Sequence, residues 1–305
     1  MATHRLEGPT TRTPAGAAAL RAARPLGRRL TPVRGLWLMF VAIGAAGAVT
    51  YARLPLGQAY HFHDTGLSGA VSRLIAYANY PVALAAIALV WAICRRREAV
   101  VATALCAVVF VPGVVRSSDL TAAWSNAPAT VGVALALSVT LRAGDDRRWT
   151  LTRRRLAPLA LLTVCSLPWL LAAAGVYVDD VPFLGFLMSR EPTPGHRSLA
   201  AVHLGLHDGL LGAELAATAL VLSARRLSRE LSLYLGLLFV YGLALAVTDA
   251  WDEQIVKRGW SNVQLPDVMQ PSPSLAWLVL LVGAVAVHVL WFRREQRRCG
   301  GTSSP

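Results

Sequence analysis

Long apolar runs, separated by short arginine-rich stretches and longer mixed polar ones, set the rhythm of this chain. Eight segments carry the roughly 20 mostly apolar residues that an α-helix needs to cross a hydrocarbon core. They lie at 35–53, 75–94, 99–116, 121–141, 156–177, 198–223, 231–249 and 274–292. The fourth is the most interrupted, because Asn126 and Pro128 fall inside it. Backbone in lipid must satisfy its own N–H and C=O groups, as a helix or a closed barrel, and apolar runs this long exclude barrel strands. The pattern therefore predicts an all-α fold: a polytopic integral membrane helical bundle of about eight transmembrane helices, in one domain over 35–292.

Composition agrees. The 305 residues are 55% hydrophobic and 15% charged, with a mean hydropathy of +0.48. Soluble domains carry about 25% charged residues. A soluble globular enzyme, a disordered chain and a disulfide scaffold are excluded. The formal net charge of +13 comes from 30 Lys+Arg against 17 Asp+Glu. In a soluble chain that excess would suggest nucleic acid.

Sorting the charges by loop changes that reading. With the N-terminus in the cytoplasm, 23 basic residues and six carboxylates fall on the inner side, against seven and eleven on the outer side. Every inner segment is richer in arginine than its neighbours, as the positive-inside bias requires. The excess is an insertion signal, and no nucleic-acid partner is expected. A cell membrane location with both termini cytoplasmic follows. Trp37, Trp91 and Trp291 fall at inner helix ends and Trp124, Trp251 and Trp277 at outer ends, as an interfacial belt.

The flanks read simply. Residues 1–34 form a basic, disordered cytoplasmic tail whose arginines enforce topology or touch anionic membrane lipid. Residues 293–305 form a second cytoplasmic tail. Thr50-Tyr51-Ala52 faintly resembles a cleavage site, but the basic and apolar regions before it are too long for a signal peptide, so the first helix is expected to stay attached. Cys94, Cys106, Cys165 and Cys299 fall in helices or on the inner side, with no CxxC pair. No disulfide or zinc knuckle is expected.

Candidate chemistry collects on the outer side, which holds five of the seven histidines: His61, His63, His196, His203 and His207. The sharpest constellation is His203-Leu-Gly-Leu-His207-Asp208 in the sixth segment. On a helix over 198–223, His203 and His207 at i, i+4 share one face, and Glu214 lies two turns further along it. Gly205, Gly209, Gly212 and Ala216 line the opposite face, where small residues let a neighbouring helix approach. A carboxylate inside a bilayer should face a cavity or a partner. Paired imidazoles suit a transition metal, and a Zn-like divalent ion needs three or four ligands. His61 or His63 from the first outer loop would complete the set with a carboxylate; Asp249, Asp252 and Glu253 end the seventh segment on the same side. Two other readings stand beside it: a metal-free hydrogen-bonded or proton-handling cluster, and unrelated surface histidines.

Other marked residues read as structure. Tyr77, Asn79, Tyr80 and Pro81 line the same cavity or form an interfacial anchor with a kink. Lys257, the single lysine, pairs with Asp252 or with Glu253 at helical spacing. His288 is a packed or snorkelling residue near the inner face. Walker A, GxGxxG, GxSxG and HExxH motifs are absent.

The HxxxH pair with an earlier His and Asp resembles, at those positions alone, the alkaline ceramidases, a zinc-dependent family that hydrolyses lipid amides. The Ser-x-x-x-His of that family's pattern does not occur in this chain. Three functions are carried forward. The first is a membrane-embedded hydrolase or transferase acting from the outer side on a lipid, a lipid-linked substrate or another small molecule. In it His203, His207, His61 and His63 serve as metal ligands or base, Glu214 or Asp208 as acid/base, and Arg197 as an anion clamp. The second is a proton-coupled transporter with Glu214 in its relay. The third is a non-catalytic protein that binds a partner through its outer loops.

Overall fold

The computed structural model describes residues 31–53, 66–111, 114, 124–143, 151–176, 178, 181–185, 190–191, 199–200, 207–225, 227–269 and 271–294. His61, His63, His196, Arg197 and His203, and nearly all of both tails, lie outside them.

The described chain is helical: α1 (Pro32–Arg53), α2 (Gly66–Tyr77), α3 (Ala83–Ile93), α4 (Arg96–Cys106), α5 (Ala127–Ala143), α6 (Arg153–Cys165), α7 (Leu167–Ala173), α8 (Asp208–Leu222), α9 (Arg229–Trp251) and α10 (Leu275–Val287). π-Helical turns at Ala78–Val82, Asp252–Val256 and His288–Phe292 join α2 to α3 and extend α9 and α10. One two-residue antiparallel pairing sets Arg190 opposite Ala200 and Glu191 opposite Leu199.

Among the described residues, five helices are long and apolar enough to cross a membrane: Pro32–Arg53, Gly66–Ile93, Trp124–Ala143, Arg229–Val256 and Leu275–Phe292. Arg153–Cys165 and Leu167–Ala173 make a sixth if counted as one span, bent by 53°. Pro168, at the start of α7, causes that bend. Its ring lacks an N–H and clashes with the carbonyl four residues back. Asn126 and Pro128 do not break the fourth expected span, because both sit at its beginning. Asn126 ends a 3₁₀ turn and Pro128 occupies the first turn of α5, where the missing donor costs nothing.

Beside the bent fifth segment, two more differ from expectation. The third is helical only over Arg96–Cys106, with a 3₁₀ turn to Phe110. The sixth was expected to be helical over 198–223. Instead Leu199–Ala200 is extended and α8 begins at Asp208. Asp208 in the first turn faces the positive end of the helix dipole, which favours a helix start there.

Within the unit Pro32–Pro305, α3 is the centre: every residue from Ala83 to Val90 is buried. The α2–α3 helix kinks at Tyr80, which leaves helical geometry (φ −160°, ψ 117°) beside Pro81. The kink carries buried polar groups. Asn79 Nδ2 donates to the Asn126 carbonyl and to Thr130 Oγ1 at 3.0 and 2.9 Å, and the Tyr80 hydroxyl meets that of Tyr241. His288 is buried against Ser232 Oγ at 3.0 Å, as a packed residue. The surface of α10 and its π-turn is apolar and exposed at Leu278, Val279, Val282, Val285 and Val289. Exposed aliphatic surface of this extent suits lipid, not water.

Candidate metal centre

Helices α8 and α9 run antiparallel and form the most extensive helix pair of the described residues. Glycines set their register. A Cβ on Gly212 would collide with the Gly242 carbonyl oxygen, and one on Gly242 with that of Gly212. Backbone therefore touches backbone at this crossing. One turn towards the N-terminus of α8, a Cβ on Gly209 would collide with the Trp169 ring and lie 2.6 Å from Asp249 Oδ2. The same register brings the residue before α8 against the end of α9.

That residue is His207, which is extended (φ −87°, ψ 149°) and stands at the N-cap position without a side-chain capping bond. Its Nδ1 lies 3.7 Å from Asp249 Oδ1. Glu253 stands four residues after Asp249, on the same face and just inside the π-turn. The Lys257 N–H closes that turn by donating to the Asp252 carbonyl at 2.9 Å. π-Turns of this kind recur at functional sites. One ligand atom each from His207, Asp249 and Glu253 falls within 4.8 Å of the other two.

The three side chains are sheltered. His207 and Asp249 are 10% and 15% exposed and Glu253 6%. Asp249 Oδ2 is buried without a hydrogen-bond partner among the described residues. A buried, unsatisfied carboxylate oxygen carries a desolvation cost of about 1–3 kcal/mol or more, which a bound cation would remove. Ligands about 2.0–2.2 Å from a tetrahedral zinc stand roughly 3.3–3.6 Å apart. The His207–Asp249 pair at 3.7 Å is already near that spacing, and side-chain motion of about 1 Å would close the widest pair. A neutral imidazole and two carboxylates fit Zn-like ions, and three protein ligands leave a position for water.

Further carboxylates surround the trio. Asp208, in the first turn of α8, is within electrostatic reach of His207, Asp249 and Asp267. Asp252 feels Asp249 and Lys257. Lys257 Nζ donates to Glu253 Oε1 at 2.7 Å, the pairing expected from helical spacing. Asp267 Oδ1 accepts from the Met269 N–H at 2.8 Å, and the Met269 carbonyl accepts from the Tyr241 hydroxyl at 2.7 Å. The second bond ties the segment after α9 back to the middle of that helix.

Glu214 stands apart from the trio. It is 2% exposed, deep in the bundle, and its Oε1 accepts from the Tyr77 hydroxyl at 2.5 Å. Its Oε2 has no hydrogen-bond partner among the described residues. Gly44 makes room for the Tyr77 ring, since a Cβ there would lie 2.9 Å from Tyr77 Cε1.

The expected helical HxxxH face is not formed, because His207 precedes α8 and is extended. His207 nevertheless reaches the carboxylates at the C-terminal end of α9. His203, His61, His63 and Arg197 lie outside the described residues. Asp208 neighbours the trio and is not one of its three convergent ligands. Asp249 and Glu253 were visible as carboxylates at i, i+4, but nothing local ranked them above Asp252. Tyr77 was expected to line the cavity or to anchor at an interface, and nothing in the sequence singled it out as the partner of Glu214. No family model, curated protein or solved structure matches this chain.

Proposed function

We propose that the chain is a polytopic cell-membrane protein of about eight crossings, with both termini cytoplasmic. Its His207–Asp249–Glu253 centre would hold a Zn-like divalent ion at the extracytoplasmic end of the bundle. The protein then acts as a membrane-embedded hydrolase or transferase on a lipid or lipid-linked substrate. A bound ion would supply an activated water at neutral pH. His207, Asp249 and Glu253 hold and orient the ion, and Asp208 stands ready as a proton acceptor beside them. The arginine asymmetry supports the orientation, and the five or six apolar helices support the crossings.

The convergence of three sheltered ligand atoms, one of them on a carboxylate with an orphaned oxygen, carries this reading. Metal analysis of protein purified in detergent tests it. About one divalent ion per chain is expected, lost in His207→Ala/Asp249→Ala. Undiminished stoichiometry in that double variant would remove both residues as ligands.

Proton-coupled transport is a second reading, favoured by the buried Tyr77–Glu214 pair within the bundle. Ionisable residues so placed are often proton relays. A pH-dependent flux lost in Glu214→Gln would support it; flux unchanged by that substitution would rule out this relay.

A further inference from the structure

Lys257 is the single lysine among 30 basic residues. Its ammonium sits on a carboxylate of the proposed metal centre, 2.7 Å from Glu253 Oε1. Asp249 and Glu253 bring two negative charges to a sheltered spot beside a histidine. Buried carboxylates need a compensating cation. Without a metal, Lys257 supplies one to Glu253, while His207 stands beside Asp249.

With a divalent ion on Glu253, the same ammonium would stand within about 5 Å of it, given ligand bonds of ~2.0–2.2 Å. A cation in that position opposes the incoming charge. Lys257 also has a way out. Its side chain is 24% exposed, and the chain turns away two residues later at Gly259, whose φ of +74° only glycine adopts readily. An ammonium on a flexible stem is a compact charge that detaches easily, whereas an arginine fork would hold the carboxylate by two bonds.

We infer that Lys257 is a resident, displaceable cation: its ammonium holds Glu253, one ligand of the His207–Asp249–Glu253 centre, in the metal-free protein and is expelled to solvent when a divalent ion binds. The inference rests on the proposed metal reading and states how that site is regulated. It gives the site a threshold, because monovalent ions gain too little from the two carboxylates to displace an ion pair already made.

Because the chain has one lysine, amine acetylation reports on this side chain alone once the N-terminal amine is separated by peptide mass spectrometry. Purified full-length protein in detergent is labelled at fixed pH with a water-soluble acetylating ester, with and without saturating Zn²⁺, while Zn²⁺ binding is measured by calorimetry. Acetylation of Lys257 should speed up several-fold with Zn²⁺, and not in His207→Ala/Asp249→Ala. Lys257→Met should bind Zn²⁺ about 10-fold more tightly or better, the range in which neighbours of metal ligands act.

Stoichiometric Zn²⁺ binding with an unchanged labelling rate would overturn the displacement and leave the metal centre standing. So would weaker binding by Lys257→Met, which would make Lys257 a support that orients Glu253. Absence of Zn²⁺ binding to the unsubstituted protein would overturn both the metal reading and this inference.

Discussion

Gly212→Ala tests whether the α8–α9 crossing governs both stability and site geometry. The added methyl would overlap the Gly242 carbonyl oxygen and lie 2.8 Å from Leu245 Cβ and 2.9 Å from the Ala246 nitrogen. Comfortable contacts between such atoms are about 3.5–4.0 Å, so the two helices must part by roughly 1 Å. The opposing atoms are mostly helix backbone, which yields only by moving the whole helix. Overpacking of this kind costs about 1–3 kcal/mol. Alanine returns about 1 kcal/mol through its better helix propensity. The net is a loss of up to about 2 kcal/mol, as much as roughly 30-fold in the folded-to-unfolded ratio.

The matched control is Gly35→Ala in α1, where an added Cβ meets nothing within 4 Å. It should gain up to about 1 kcal/mol from propensity alone. Equilibrium unfolding in bicelles, followed by helical circular dichroism, measures both variants. Parting the helices also lengthens the 3.7 Å His207–Asp249 approach, so Gly212→Ala should weaken Zn²⁺ binding although residue 212 touches no ligand. Equal stability gains in both variants would refute the backbone-contact argument. A destabilised Gly212→Ala with unchanged Zn²⁺ affinity would show that the crossing does not set the site.

Tyr77→Phe should cost about 1–3 kcal/mol in the same unfolding assay, because both Glu214 oxygens are then left without a partner. The double change Tyr77→Phe/Glu214→Leu should recover most of that loss, since removing both partners is nearly neutral; a double variant less stable than Tyr77→Phe would contradict this. Arg155, 2% exposed, donates through Nε to Ser223 Oγ at 3.2 Å and through its terminal nitrogen to the Ser223 carbonyl at 2.8 Å, closing the C-terminal end of α8. Arg155→Met should lower stability by about 1–3 kcal/mol through loss of charged bonds to a helix C-terminus, and an unchanged unfolding midpoint would show that the cap contributes nothing.

The apolar segments and the arginine asymmetry are local properties. Burying about 20 apolar residues needs no partner to be legible, and the helices at Pro32–Arg53, Trp124–Ala143, Arg229–Val256 and Leu275–Phe292 stand where periodicity and length put them. The pairing of Lys257 with Glu253 was legible for the same reason, because i, i+4 neighbours meet on any helix.

The site was legible only in its ingredients. The outer side, His207 and the carboxylates ending the seventh segment stood out in the sequence, while the partnership did not. The HxxxH reading assumed a helix through His207, but a run with glycines and an aspartate can as well be extended, and α8 begins one residue later. That Asp249 and Glu253 answer His207, and that Tyr77 answers Glu214, depends on residues 42, 46 and 137 positions apart. Such pairings follow from where Gly212 lets α9 rest on α8 and where Tyr80 kinks the second span. The chain alone determined which segments are helical and apolar, because each turn of helix satisfies itself. The tertiary structure alone decided which polar groups meet, because a side chain's partner is chosen by how helices pack.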